Sequence, residues 1–230
     1  MKIHGLQKMT LLDYPGRVAC TVFFGGCEMR CPFCHNAELL DGSAPPMMTD
    51  EELISFLAMR KGLLDGVAFT GGEPLLQKDL PELAGRIREL GYDIKVDTNG
   101  MHPDRLEKMM KDGTVQYVAM DIKNDPERYA MTAGLEQLDL GPIKESISLL
   151  MNSGMEYEFR TTVVAELHDD DSFKGIGPWI KGARHYYLQK FTDRDTVPFE
   201  GLHSPTREQM ERWADIVRPF IPAVELRGVE

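Results

Sequence analysis

Cysteine is nearly missing from this 230-residue chain: the four present are crowded at positions 20, 27, 31 and 34, and residues 35–230 contain none. A secreted disulfide framework spreads its bridges through a small chain with a weak core, so a metal or redox site explains the crowding better than stapling does. Positive charge is also in deficit, with 26 Lys and Arg against 37 Asp and Glu, a net charge of −11. An acidic surface repels a polyphosphate backbone, so nucleic acid is not expected as a partner, although a small nucleoside in a local pocket is compatible with it. No run approaches the roughly 18 apolar residues of a membrane span. Residues 1–5 (MKIHG) lack the apolar stretch of a secretory signal, so no membrane association is expected and the expected location is cytoplasmic. Repeats, low-complexity tracts and linkers are absent as well; residues 42–46 (GSAPP) read as an exposed loop, and residues 1–230 as one domain.

What is present suits a packed core. Hydrophobic residues make up 42% and charged residues 27% of the chain, which excludes a disordered class. Short β-rich runs alternate with amphipathic helical segments. Residues 18–24 (VACTVFF) read as a strand feeding the cysteine loop. Thr49 and Glu52 form a capping box opening a helix whose Leu53, Phe56 and Leu57 share a face. A strand over 67–70 ends in Gly71-Gly72, and Leu80, Leu83, Ile87 and Leu90 form a helical stripe. Strands at Asp93–Thr98, Tyr117–Asp121, 157–164, His185–Lys190 and 223–226 alternate with helices over 104–111, around Ile143, Ile147 and Leu150, and over about 171–181. Ser204-Pro205 is expected to open a final helix whose apolar face carries Met210, Trp213, Val217 and Phe220. Strands separated by helices imply parallel pairing through right-handed crossovers, and six or seven such units point to an α/β fold of partial or full barrel type. Chemistry in such folds sits on loops after the strand C-termini, the position of the cysteine loop, residues 71–74, residues 97–100 and residues 121–123.

The cysteine loop Cys27-Glu-Met-Arg-Cys31-Pro-Phe-Cys34 has the spacing C-x3-C-x2-C. Three thiolates on so short a loop can face one point, as an iron–sulfur cube requires, and a four-iron cube held by three thiolates keeps one iron open to another ligand. The competing reading is structural zinc with Cys20 as fourth ligand. Such sites favour paired C-x2-C knuckles, whereas Cys20 lies inside a strand and reads more simply as a small buried hydrophobe.

With an aromatic before its last cysteine, this loop resembles the signature of radical S-adenosylmethionine enzymes. The wider string over residues 26–36 (GCEMRCPFCHN) is similar to the glycyl-radical-enzyme activases of that superfamily, and residues 5–16 (GLQKMTLLDYPG) resemble the activating proteins of anaerobic ribonucleoside-triphosphate reductase. The resemblance runs from about residue 3 to residues 224–228 (VELRG). It implies a partial (β/α)6-type TIM barrel, a 4Fe–4S cluster on Cys27, Cys31 and Cys34, and S-adenosylmethionine as cofactor. It also implies oxidoreductase chemistry that places a glycyl radical on the catalytic subunit of the reductase, with flavodoxin or ferredoxin as electron donor. Alternatives are activation of pyruvate formate-lyase or another glycyl radical enzyme, or a small-molecule enzyme such as 7-carboxy-7-deazaguanine synthase.

The remaining motifs take their roles from the same resemblance. Gly71, Gly72 and Glu73 would bind the amino group of the methionine moiety, which also suits a close backbone approach and a carboxylate–ammonium pair. Asp97, Thr98 and Asp121 would ligate a monovalent cation, for which oxygen donors are apt, and Lys123 would meet the cofactor. Taken alone, Asp97-Thr98-Asn99-Gly100 is also ordinary turn chemistry. Arg160, inside a strand, needs a carboxylate partner: the cofactor's, or a neighbour such as Glu158. Phe33 is expected to pack against adenine, and His35 reads either as a cofactor contact or as a surface residue. The related activases carry a histidine at the end of the sixth strand; here the stretch is Leu188-Gln189-Lys190-Phe191, which favours the reductase branch over the pyruvate formate-lyase one. No further cysteine pair is present to hold extra clusters.

Overall fold

Ten strands and seven α-helices follow one another in a computed structural model of the chain, which describes residues 1–229. Clustering of the backbone separates two units, residues 1–28 with 38–118, and residues 29–37 with 119–230. The first contains β1 (Lys2–Ile3), β2 (Gly5–Thr10), β3 (Ala19–Phe24), β4 (Met48–Thr49), α1 (Asp50–Ala58), β5 (Gly66–Gly71), α2 (Leu80–Glu89), β6 (Asp93–Thr98) and α3 (Pro103–Lys111). β7 (Tyr117–Asp121) begins in the first unit and ends in the second. The second continues with α4 (Tyr129–Thr132), α5 (Gly141–Asn152), β8 (Glu156–Val163), α6 (Asp170–Trp179), β9 (His185–Lys190), α7 (Arg207–Val217) and β10 (Ala223–Arg227).

In the first unit β3 pairs in parallel with β5, and β5 with β6, aligning Phe24 with Gly71 and Phe69 with Val96. These strands are buried on both faces, as a helix-covered parallel sheet requires: Val22, Phe24, Val67, Phe69, Ile94 and Val96 are fully enclosed. Leu53 and Leu57 of α1, with Leu83 and Ile87 of α2, are buried with them. The Thr49–Glu52 capping box forms as expected. In the second unit β8, β9 and β10 are parallel neighbours, and Phe173, Ile176, Met210 and Trp213 supply the buried faces of α6 and α7. The α/β class and mostly parallel sheet match the expectation. Among the described residues, no helix is long and apolar enough to cross a membrane.

Two readings need correction. Strand β2 was not anticipated. It runs antiparallel to β3, and its sequence GLQKMT has no apolar alternation to announce it, with Gln7, Lys8 and Met9 all exposed; pairing, not pattern, makes it extended. The last helix does not open at Ser204-Pro205. Thr206 is its N-cap, because Thr206 and Gln209 exchange reciprocal side-chain bonds, while the Ser204 hydroxyl donates to the Phe191 carbonyl at 2.6 Å. Phe220 consequently lies beyond the helix end at Val217.

An ion pair between an enclosed carboxylate and a half-exposed guanidinium fastens the last strand. Glu158, 1% exposed, accepts two bonds from Arg227 at 2.7 and 2.8 Å, and the guanidinium lies 3.4 Å from the Tyr187 ring centroid. Removing one member of such a pair strands a buried charge. Arg227→Ala is expected to lower unfolding free energy by about 2 kcal/mol in urea titrations, below the fully buried value because solvent screens the half-exposed guanidinium, and an additional Glu158→Gln change should recover part of the loss. A single-variant loss near zero would show the pair to be dispensable.

Candidate active site

The first unit builds its part of the site on backbone. β3 runs directly into the turn before Cys27, where Gly26 and Cys27 donate their N–H groups to the Leu39 and Leu40 carbonyls at 2.7 and 3.0 Å. From the end of β5, Gly72 N–H donates to the Phe24 carbonyl and Glu73 N–H to the Gly26 carbonyl, both at 2.8 Å. This contact explains the glycine pair. Gly71 has φ +112°, and a Cβ there would strike the Phe24 backbone; a Cβ on Gly72 would collide with the Gly26 carbonyl oxygen. The close approach is therefore made by the chain's own cysteine loop, a reason separate from any ligand.

Glu73 is 1% exposed. Its carboxylate accepts from Leu75 N–H at 3.0 Å, from the Thr98 hydroxyl at 2.9 Å and from Asn99 N–H at 2.7 Å. Burial nevertheless outweighs these donors and pushes its pKa up to about 7. A positive group arriving beside it would restore full ionisation. Thr98 also accepts from Gly100 N–H at 3.1 Å. The Asn99 side chain accepts from Met101 N–H at 2.9 Å and directs its amide nitrogen toward Cys27 Sγ at 3.8 Å and Glu28 Oε2 at 3.4 Å. Glu28 Oε1 lies 2.5 Å from His102 Nε2. Asp97 pairs with the buried Lys95.

The second unit carries the rest. Arg30 N–H donates to the Ala133 carbonyl at 2.8 Å, and Gly134, with φ +71°, leaves no room for a Cβ against the Arg30 carbonyl. Cys34 N–H donates to the Cys31 carbonyl at 3.1 Å. Burial raises the pKa of both thiols, and Lys123 pulls each back toward ionisation. Phe33 is buried, with Lys123 Nζ 6.0 Å from its ring centroid. His35 stacks on Phe191, the rings 7° from parallel, and its Nε2 donates to the Thr192 carbonyl at 2.7 Å.

At the end of β7, Asp121 accepts from Lys123 Nζ at 2.8 Å and from Arg160 Nε at 2.5 Å. Burial opposes its ionisation, but the two cations dominate and hold the carboxyl well below the usual range; Lys123 is likewise kept charged by Asp121 against its own burial. Arg160 is therefore partnered by Asp121, while the Glu158 considered for it from the sequence belongs to Arg227. His168, fully buried, donates from Nε2 to the Lys123 carbonyl at 2.8 Å, and its Nδ1 accepts from Val164 N–H at 3.1 Å. Glu28, His102 and His168 escaped the sequence reading, because lone charged residues outside a spacing pattern carry no signal; Asn99 was visible only as turn chemistry.

None of the four cysteines is in a disulfide, so the loop thiols are of the donor type that an iron–sulfur cluster takes. Cys20 is completely enclosed in β3, and burial pushes its thiol up to about 12, the behaviour of a core side chain. An enclosed carboxylate with three hydrogen-bond donors and, among the described residues, no ion-pair partner is compatible with an ammonium ligand.

Comparison with known proteins agrees with this chemistry. The model of the Radical SAM superfamily matches residues 21–173. A protein of Methanocaldococcus jannaschii named as a glycyl-radical enzyme activating enzyme is 30% identical, covering 99% of this chain and 96% of its own. The pyruvate formate-lyase-activating enzyme of Clostridium pasteurianum is 30% identical over 80% of this chain and 78% of its own. Among solved structures, a domain of pyruvate-formate lyase-activating enzyme from Bacteroides vulgatus superposes with a TM-score of 0.58 at 18% identity, over 71% of this chain and 99% of that domain, a likeness of fold.

The raised Glu73 pKa has a stability signature. The folded protein retains a proton that the unfolded chain, with an ordinary glutamate, releases above about pH 4.5. Stability from this group is complete at lower pH and is lost as pH rises through about 7. Between pH 5 and pH 8, cluster-free wild type should therefore lose about 2 kcal/mol relative to Glu73→Gln, measured by denaturant unfolding. A constant difference between the two proteins would mean that Glu73 is ionised throughout.

Proposed function

The chain belongs to the radical SAM superfamily, and from that premise we propose that it is a glycyl-radical-enzyme activase whose target is the catalytic subunit of anaerobic ribonucleoside-triphosphate reductase. The observation that carries the activase reading is the end-to-end similarity to an activating enzyme of almost equal length, joined to a C-x3-C-x2-C loop whose first cysteine is hydrogen-bonded into the same backbone as the buried Glu73. The choice of reductase rests on the resemblance of residues 5–16 and on the absence of a histidine at the end of β9, where Phe191 instead stacks on His35.

In this proposal Cys27, Cys31 and Cys34 hold a 4Fe–4S cluster. Bound together, the cluster and S-adenosylmethionine would supply one-electron reductive cleavage of the sulfonium coupled to removal of a hydrogen atom from a glycine of the partner, with flavodoxin or ferredoxin as electron donor and methionine and 5′-deoxyadenosine as products. Glu73 receives the methionine ammonium, and the Gly71-Gly72 turn holds that carboxylate against the loop of Cys27. Lys123, fixed by Asp121 and by the His168 contact to its carbonyl, presents its charge beside Phe33, which stacks with adenine, and His35 borders that surface. Arg160 acts through Asp121 rather than by meeting the cofactor first. A monovalent cation at Asp97, Thr98 and Asp121 would compete with Lys95, Lys123 and Arg160, which already compensate both carboxylates. The similarity to a pyruvate formate-lyase-activating enzyme favours a second reading, with that enzyme as target.

Anaerobic reconstitution with iron and sulfide, followed by dithionite and S-adenosylmethionine, should yield 5′-deoxyadenosine in wild type and in Cys20→Ala, and none in Cys31→Ala. Electron paramagnetic resonance should then show a glycyl radical when the reductase subunit is added and none with pyruvate formate-lyase. The opposite partner preference would establish the second reading. A loaded cluster without 5′-deoxyadenosine would remove the enzyme assignment.

A further inference from the structure

Asn99 stands at the junction of two functions. Its backbone N–H donates to Glu73 Oε2 at 2.7 Å, and its side-chain nitrogen reaches Cys27 Sγ at 3.8 Å. The amide orientation follows from its neighbours: Met101 N–H needs an acceptor, so Oδ1 faces it at 2.9 Å and the NH2 group must face the other way. Those two hydrogens meet two acceptors, the Cys27 sulfur and Glu28 Oε2. Glu28 is held in turn by His102. The flanking backbone is pinned by Thr98, whose hydroxyl donates to Glu73 while accepting from Gly100 N–H. Asn99 is only 6% exposed, so water does not compete strongly for its donors.

We infer that Asn99 is a positioning residue that tunes the electron affinity of the cluster through an N–H···S hydrogen bond to Cys27, while its backbone orients Glu73 for the cofactor ammonium. The inference rests on the reading of Cys27 as a cluster ligand. Hydrogen bonds to ligand sulfur stabilise the more negative, reduced state and raise the potential. The Glu28 charge has the opposite sign of effect, and His102 pairs with it at 2.5 Å. Because the two roles of Asn99 use different atoms, a side-chain change alters the potential and leaves the Glu73 contact in place.

The discriminating variant is Asn99→Ser. A serine oxygen can still accept from the N–H two residues on, as Thr98 does from Gly100, but its shorter side chain removes the amide N–H that reaches the sulfur at 3.8 Å. With iron content unchanged and the Kd for S-adenosylmethionine within about twofold, the ratio of reduced to oxidised cluster at a fixed potential should fall about tenfold, equivalent to about 59 mV for a one-electron couple. Asn99→Asp, which replaces the donor by a negative charge, should move the potential further in the same direction. A fully loaded Asn99→Ser cluster with unchanged potential would overturn the inference alone. Where the variants fail to load, pulsed electron paramagnetic resonance of the reduced wild-type cluster carrying 15N-labelled asparagine gives the answer: a side-chain nitrogen coupling supports the bond and its absence overturns it. Wild type that takes up no cluster at all would overturn the functional reading, and this inference with it.

Discussion

Two backbone hydrogen bonds carry the first unit's part of the site. Gly72 to Phe24 and Glu73 to Gly26 join the end of β5 to the exit of β3 so closely that neither Gly71 nor Gly72 tolerates a side chain. Everything functional in that unit hangs from this junction. It sets where the chain leaves for Cys27, and it buries Glu73 among three donors. Burial of a carboxylate without a countercharge costs folding free energy. On the proposed reading, an ammonium group beside Glu73 in the loaded protein would recover that cost.

The second unit solves the complementary problem with charge. Asp121 is half-buried and sits between Lys123 and Arg160, so its negative charge is secured and the Lys123 ammonium is held in one position. His168 then fixes the backbone of Lys123 from behind. Cys31 is buried and Cys34 half-buried; burial raises both thiols, and the Lys123 charge offsets part of that rise. The two units thus use opposite devices: an uncompensated carboxylate in one, a compensated carboxylate with a poised cation in the other.

Much of this was legible before any coordinates. Strands Asp93–Thr98, Tyr117–Asp121 and His185–Lys190 are where the apolar pattern put them, and the Thr49–Glu52 box opens α1 because its two side chains satisfy each other's backbone. The cysteine spacing and the Gly-Gly-Glu turn announced themselves because their chemistry is local in sequence. What stayed hidden is what depends on distant pairing. β2 is a strand only by virtue of β3, and Arg160 finds Asp121 thirty-nine residues away while its near neighbour Glu158 binds Arg227. Asn99 looked like an ordinary turn residue, and only the approach of Cys27 and Glu73 to it reveals a second use.

The central claim is that Glu73 is kept partly protonated by burial until it receives a positive group. Calorimetric titration of reconstituted protein with S-adenosylmethionine at pH 6.5, in buffers of differing ionisation enthalpy, tests it directly. With a carboxyl near pKa 7, binding of the ammonium should expel more than about half a proton per cofactor, and Glu73→Gln should abolish that release while weakening binding. Binding with no proton release, or a release unchanged in Glu73→Gln, would contradict the assignment of Glu73 as the ammonium acceptor.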